Sequence, residues 1–144
     1  MSLAQNRKAT FDYEILEKFT AGLELNGQEV KSVRAGHISL SGAYIGIRGA
    51  EAYLLNADIP AYQPKNAKDY EPLRARKLLL TKPEIAELLK AEATKGLTIV
   101  PLSVYNKGRF LKLDLGIARG KKKFDKRESI KKRDVERDLK RTLK

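Results

Sequence analysis

From Leu111 to Ile117 apolar residues occupy every second position, Leu111, Leu113, Leu115 and Ile117, with Lys112, Asp114 and Gly116 between them. A repeat of two is the side-chain period of an extended strand with one face in a core, and a helical stripe cannot produce it. The pattern predicts a strand that turns Lys112 and Asp114 away from the core. Just upstream, residues 97–105 form a β-rich run and Asn106-Lys107-Gly108 a turn, so the two runs predict a hairpin. A second hairpin is predicted where Tyr44-Ile45-Gly46-Ile47-Arg48 and Ala52-Tyr53-Leu54-Leu55 flank a turn around Gly49-Ala50-Glu51. Earlier still, Phe11, Tyr13 and Ile15 alternate with Asp12 and Glu14, and Leu23 and Leu25 repeat the signal after Ala21-Gly22, which predicts one bent strand.

The period of two breaks at two places. Thr81-Lys82-Pro83-Glu84 is a helix start: Thr81 can cap it, Glu84 three residues on can reach back, and Pro83 is acceptable in a first turn. Ile85, Leu88 and Leu89 supply the apolar stripe and Gly96 the stop. Asn26-Gly27 admits either a hairpin turn or the start of a short helix; Val30 and Val33, three apart between Gly27 and Gly36, favour the helix. Residues 60–75 carry Pro60, Pro64 and Pro72 among polar residues and predict a long surface loop. In a chain of 144 residues, about one domain's worth, five or six short antiparallel strands and two or three small helices are expected to close into a small, mainly β barrel over residues 1–118. Closure removes exposed sheet edges. Residues 119–144 would follow as a separate tail.

Composition excludes most chemistry. There is no Cys, which removes disulfides, thiolate nucleophiles and every thiolate metal site, and there is one His, His37. The acidic residues do not cluster as an all-oxygen metal site requires. Gly116 to Lys122 resembles a phosphate loop only superficially, because its glycines stand one residue too close and no Ser or Thr follows the Lys. No enzyme, metal or cofactor is expected. The first ten residues lack the apolar run of a signal peptide and no stretch approaches the about 20 apolar residues of a membrane span, so the expected location is the cytoplasm.

Charge points to the partner. The net charge is +12. Residues 119–144 hold 13 Lys or Arg against 5 Asp or Glu, a net +8, which leaves 17 against 13, a net +4, to the body. A solvated appendage is the plain explanation of such a tail; a polyphosphate partner accounts for it better, because further cations stand at chain ends and loops. These are Arg7-Lys8 after Asn6, Arg74 with Arg76-Lys77, and Lys121-Lys122-Lys123 after Gly120. Six Tyr and four Phe could stack on unpaired bases. In the tail Val135, Leu139 and Leu143 recur at spacing four, with Glu128 before Lys132 and Glu136 before Lys140. Such a narrow stripe predicts a segment disordered when free and helical when bound.

An ordered set of short motifs resembles the SsrA-binding protein (SmpB) family along nearly the whole chain. It comprises Asn6-Arg7-Lys8-Ala9 with Tyr13-Glu14-Ile15, Ala21-Gly22-Leu23, Glu29-Val30-Lys31-Ser32-Val33-Arg34-Ala35-Gly36, Arg76-Lys77-Leu78-Leu79-Leu80, Pro101-Leu102, and Gly120-Lys121-Lys122 followed by Asp125-Lys126-Arg127. The resemblance implies an oligonucleotide-binding-type (OB-fold-like) β-barrel with three flanking helices. It also implies a partner, transfer-messenger RNA (tmRNA), whose tRNA-like part the body holds while the pair enters a ribosome stalled on a message without a stop codon. The RNA then templates a degradation tag. The RNA-binding residues implied by position are Thr20, Leu79, Thr81 and Lys112, beside Asn6, Arg7, Lys8, Arg76 and Lys77, which are expected there from the basic clusters. Thr20 departs from the pattern, since members often carry Glu there. Gly120, Lys121, Lys122, Phe124, Asp125, Lys126 and Arg127 are implied to occupy the decoding centre of the small ribosomal subunit, with residues 128–143 in the empty message channel. Phe124 stands where some members have His, which rules out proton transfer there and leaves base stacking. Further implied features are a monomer bound to one RNA and an alanyl-tmRNA complex with EF-Tu. A general ribosome-associated or single-strand RNA-binding module remains the alternative in the same class, and an RNA-processing enzyme the alternative outside it.

Overall fold

The computed structural model describes residues 2–63 and 69–121. Seven strands, β1 (Ser2–Gln5), β2 (Tyr13–Leu23), β3 (Tyr44–Arg48), β4 (Glu51–Leu55), β5 (Arg76–Leu79), β6 (Leu97–Lys107) and β7 (Phe110–Gly120), form one sheet. Three helices accompany it: α1 (Arg7–Asp12), α2 (Gly27–Arg34) and α3 (Lys82–Glu92). The strand order is β1-β6-β7-β2-β5-β4-β3 and every pairing is antiparallel. The mainly β, antiparallel expectation holds. The barrel needs correction, because β1 and β3 are edges that do not pair and the sheet is curled but open. Curling brings β3 back towards β6 and encloses a core that includes Phe19, Ala21, Leu54, Leu78, Val104 and Leu113. Leu88 of α3 and Val33 of α2 plug this core, both fully buried.

The two hairpins form where the alternation placed them. β7 buries Leu111, Leu113, Leu115 and Ile117 and turns Lys112 and Asp114 outward. Its turn is tighter than the expected Asn106-Lys107-Gly108: Lys107 already pairs with Phe110, and Gly108 takes the positive φ of +61° that a two-residue loop demands. β3 and β4 turn likewise at Gly49, φ +62°. The preferred helix at Asn26 is α2. Asn26 accepts from the Glu29 backbone N–H at 3.0 Å while its own N–H donates to Glu29 at 2.9 Å, so a capping box outweighs the hairpin reading. Thr81 and Glu84 build the same box on α3. That helix ends at Glu92, short of Gly96, with Ala93 as its C-cap and the last turn tightened by the Thr94 N–H donating to the Ala91 carbonyl at 3.1 Å.

The early bent strand begins later than the alternation suggests. Phe11 and Asp12 belong to α1, which Asn6 caps by accepting from the Ala9 N–H at 3.3 Å, and Leu25 lies beyond β2. Buried Ala9 packs against Val100 and Ala118, a tertiary contact that overrides a local period of two. The bend is a bulge: Ile15 pairs with Ala118 and Glu17 with Ile117, leaving Leu16 extra. β1 had no signal of its own, since four residues with two half-buried apolar side chains carry no readable period.

The largest departure from a plain surface loop lies in residues 69–75. Arg76 is fully buried at the start of β5 and points its guanidinium at Glu29, also fully buried, with Nε 2.6 Å from Oε2. Its Nη1 donates to the Ala57 carbonyl at 2.9 Å and to the Pro72 carbonyl at 2.8 Å. Arg74 closes on Glu29 from the solvent side, and the Tyr70 hydroxyl donates to the Ile59 carbonyl at 2.5 Å. One buried ion pair thus locks α2, the end of the loop and β5 together. Burial opposes ionisation of Glu29, but hydrogen bonds from Arg74, the Asn26 N–H and Arg76, with the charge of Arg76, outweigh it and hold the carboxyl below its ordinary value. A lowered native value stabilises the fold above the ordinary carboxyl range, and the gain disappears as pH falls through the native value. The urea midpoint of the wild type should therefore exceed that of Glu29→Gln at pH 7, and the gap should shrink below about pH 4. A gap that is constant from pH 7 to pH 3 would show that the ion pair does not stabilise the fold.

Candidate nucleic-acid interface

The outer face of the sheet is organised by register. Gly22 of β2 stands opposite both Leu79 of β5 and Lys112 of β7, and Lys112 stands opposite Tyr105 of β6. Leu79, Gly22, Lys112 and Tyr105 therefore form one row across four strands, all on the side away from the core. Gly22 keeps the row low: a Cβ there would lie 3.3 Å from two Leu79 side-chain atoms, so its absence lets Leu79 lean over β2. Leu79 stays 53% exposed, an apolar side chain presented to solvent between cations.

The neighbouring row carries a carboxylate, Asp114. Thr20 is opposite Asp114, and its hydroxyl donates to Oδ1 at 3.0 Å; the Tyr105 hydroxyl donates to the same oxygen at 2.9 Å. Asp114 is thereby fixed in orientation from both sides.

At one end the row opens into a cleft of about 300 Å³ between the β6–β7 hairpin and α2. Arg34 of α2 donates from Nη2 to the Arg109 carbonyl at 2.7 Å, tying helix to hairpin, and the Lys112 ammonium sits 5.7 Å from the centre of the Phe110 ring.

Of the residues expected on an RNA-binding face, the structure brings together Thr20, Leu79 and Lys112. Lys77 points outward from β5 and pairs with Glu51 at 3.0 Å. Thr81 flanks the face, but its hydroxyl is engaged in the α3 cap, donating to Glu84 Oε1 at 2.9 Å. Arg76 leaves the set: with no exposed surface and its guanidinium on Glu29, it cannot reach a phosphate. Asn6 is used within the fold, capping α1 and donating from Nδ2 to the Pro101 carbonyl at 2.9 Å.

Arg7 and Lys8 are exposed at the other end of β2, beside the root of the tail. There Gly120 pairs with Tyr13, the Lys121 N–H donates to the Asp12 carbonyl at 2.9 Å, and its Nζ donates to the Thr10 carbonyl at 3.1 Å. Tyr13 and Gly22 are separated by about 30 Å of strand. The solvent-accessible cations of the expected set among the described residues therefore fall in two groups, Lys77 and Lys112 at one end and Arg7, Lys8 and Lys121 at the other. Lys122, Phe124, Asp125, Lys126 and Arg127 lie outside the described residues.

Sequence reasoning missed Tyr105, Arg34, Arg109 and Phe110. Tyr105 stands on the face opposite buried Val104 of β6, a strand whose burial does not alternate and so gives no readable face; the other three meet only once the hairpin folds against α2. Among the described residues no group of three or more metal-ligating side chains occurs, and no helix is long and apolar enough to cross a membrane.

Comparison with known proteins identifies the family. The chain is 54% identical over 142 residues to the SsrA-binding protein of Leuconostoc mesenteroides, covering 99% of this chain and 92% of that one. It is 51% identical over 143 residues to the SsrA-binding protein of Ligilactobacillus salivarius, again 99% and 92%, and 50% identical over 141 residues to that of Gloeobacter violaceus, 98% and 93%. Its fold matches a chain of a solved structure described as "tmRNA-SmpB: a journey to the center of the bacterial ribosome", with a TM-score of 0.69 and 43% identity over 88% of this chain and 92% of that one. The profile of the family described as SmpB protein matches residues 3–144, β1 through the tail, and on that match and these relatives the chain belongs to the SmpB protein family.

Proposed function

We propose that this chain is a non-catalytic adaptor that binds transfer-messenger RNA and delivers it to stalled ribosomes for trans-translation. The observation that carries the reading is the likeness to SsrA-binding proteins over 99% of the chain, joined to an open sheet face on which Lys112 and an exposed leucine stand in register. The tRNA-like part of the RNA lies on Leu79, Lys112 and the Thr20–Asp114 pair, with Lys77 and Thr81 at the margin and Arg7 and Lys8 contacting phosphate at the far end. Thr20 has no carboxylate, and Asp114 beside it is the acceptor that Thr20 and Tyr105 orient. The body carries the RNA as a monomer in the cytoplasm, within an alanyl-tmRNA complex with EF-Tu. Beyond its anchored root at Gly120 and Lys121, the tail enters the decoding centre through Lys122, Phe124, Asp125, Lys126 and Arg127. Residues 128–143 lie in the message channel, which a basic segment can occupy only when message is absent.

Competition binding at one salt concentration tests the reading. The tRNA-like region of transfer-messenger RNA should displace labelled RNA at far lower concentration than an unrelated structured RNA; equal displacement would leave only a general RNA-binding module. Lys112→Ala should weaken binding at every salt concentration and lower the salt slope by about one. An unchanged slope would remove Lys112 from the phosphate contacts.

A further inference from the structure

Phe110 is the most exposed large apolar residue among those described, at 68%, yet it is the first residue of a core strand. Its position is set by the tight turn at Gly108 and by its pairing with Lys107, so the ring projects at the hairpin tip rather than folding inward. Three cations, Arg34, Arg109 and Lys112, and no acid line the cleft it borders. A ring with an open face beside three cations has the two features that a nucleotide recognises, a stacking surface and charge for phosphate.

We propose that Phe110 is a stacking platform for an unpaired base of the bound RNA, held at the mouth of this cleft while Arg34, Arg109 and Lys112 contact the flanking phosphates. The inference rests on the RNA-binding reading above and names a contact within it. Continuity supports it: Leu79 and Lys112 belong both to the registered row and to the cleft, so RNA lying along the row reaches Phe110. Lys112 near the ring adds a cation to the same stack. Arg34 donates one of its five N–H groups to the hairpin, which fixes the guanidinium beside the ring and leaves donors for phosphate.

The chain contains no Trp, so Phe110→Trp places a single indole at the proposed contact. Titrating the full-length Phe110→Trp chain with the tRNA-like region of transfer-messenger RNA should quench its fluorescence as the complex forms. Phe110→Ala and Phe110→Leu should each bind about tenfold more weakly, with an unchanged salt slope, because stacking is lost while the phosphate contacts stay. Wild-type affinity in both Phe110→Ala and Phe110→Leu, or an unquenched indole in a chain that binds normally, would overturn the proposal while leaving the RNA-binding reading intact. Quenching by ribosomal subunits alone would also overturn it, in favour of a different partner. Failure of the wild type to bind this RNA would instead overturn the reading on which the proposal rests.

Discussion

Replacing Arg76 with Met is expected to destabilise the fold by about 3–5 kcal/mol, the largest effect of any single substitution considered for this protein. Met keeps much of the stem volume and removes only the guanidinium. Glu29 then remains fully buried with the half-exposed Arg74 as its one cationic partner, and the Ala57 carbonyl loses its Arg76 donor, whereas the Pro72 carbonyl keeps the Ile59 N–H. Leaving a buried carboxylate without its buried partner, and a buried carbonyl without its Arg76 donor, costs more than the intact pair contributes. A double-mutant cycle separates the two: Glu29→Leu with Arg76→Met should recover a substantial part of the loss, because removing both charges removes the desolvation penalty as well. Arg74→Ala should cost only about 1 kcal/mol, since solvent already screens its side chain. Urea unfolding of the four variants measures all of this, and an Arg76→Met chain within about 1 kcal/mol of wild type would refute the locking role. Where the lock fails, residues 69–75 should become the first site of proteolysis, because their attachment to α2 and β5 runs through it.

Ending the chain after Lys121 is expected to abolish tagging of proteins made from messages without a stop codon while leaving most of the affinity for the tRNA-like RNA. The removed residues 122–144 hold 11 Lys or Arg against 5 Asp or Glu, a net +6, so affinities must be compared at matched, near-physiological salt, where non-specific attraction is small. The position of the cut follows from the fold. β7 runs to Gly120, Arg119 pairs with both Glu14 and Leu97, and Lys121 donates to α1. A cut after Ala118 would strip these contacts from β2 and confound lost tail function with a loosened sheet. Full tagging by the chain ending at Lys121 would sink the proposed role of the tail; loss of RNA binding together with tagging would sink the division of labour between body and tail.

Legibility in the sequence followed the range of the forces involved. The strand at 111–117 and the capped helix at Thr81 were readable because alternation and a capping box are local signals that the tertiary structure reinforces. Phe11 was misread for the opposite reason: its local alternation continues into β2, but α1 forms because Ala9 finds a buried site on Val100 and Ala118, residues 91 and 109 positions away. Among the site residues, Lys112 and Leu79 were named through the family resemblance, yet their adjacency through Gly22 was not, since register between β2, β5 and β7 is a property of the assembled sheet. Arg76 illustrates the limit of charge reading. Within Arg74-Ala75-Arg76-Lys77 the strand period gives Arg76 and Lys77 opposite faces, but nothing local says that the inward arginine will find a buried carboxylate on a helix 47 residues earlier.

The amino-acid sequence by itself determined the class of fold, the two hairpins, the two capping boxes, the absence of thiol chemistry and the concentration of positive charge after residue 118, because composition, period and capping act over a few residues. Tertiary structure alone decided that the sheet stays open, that Arg76 is an interior strut rather than a phosphate ligand, and that Leu79, Lys112, Tyr105 and Phe110 share one surface. Those outcomes depend on which strands pair, in which register, and on where a buried charge meets its partner, and such contacts join residues that lie dozens of positions apart.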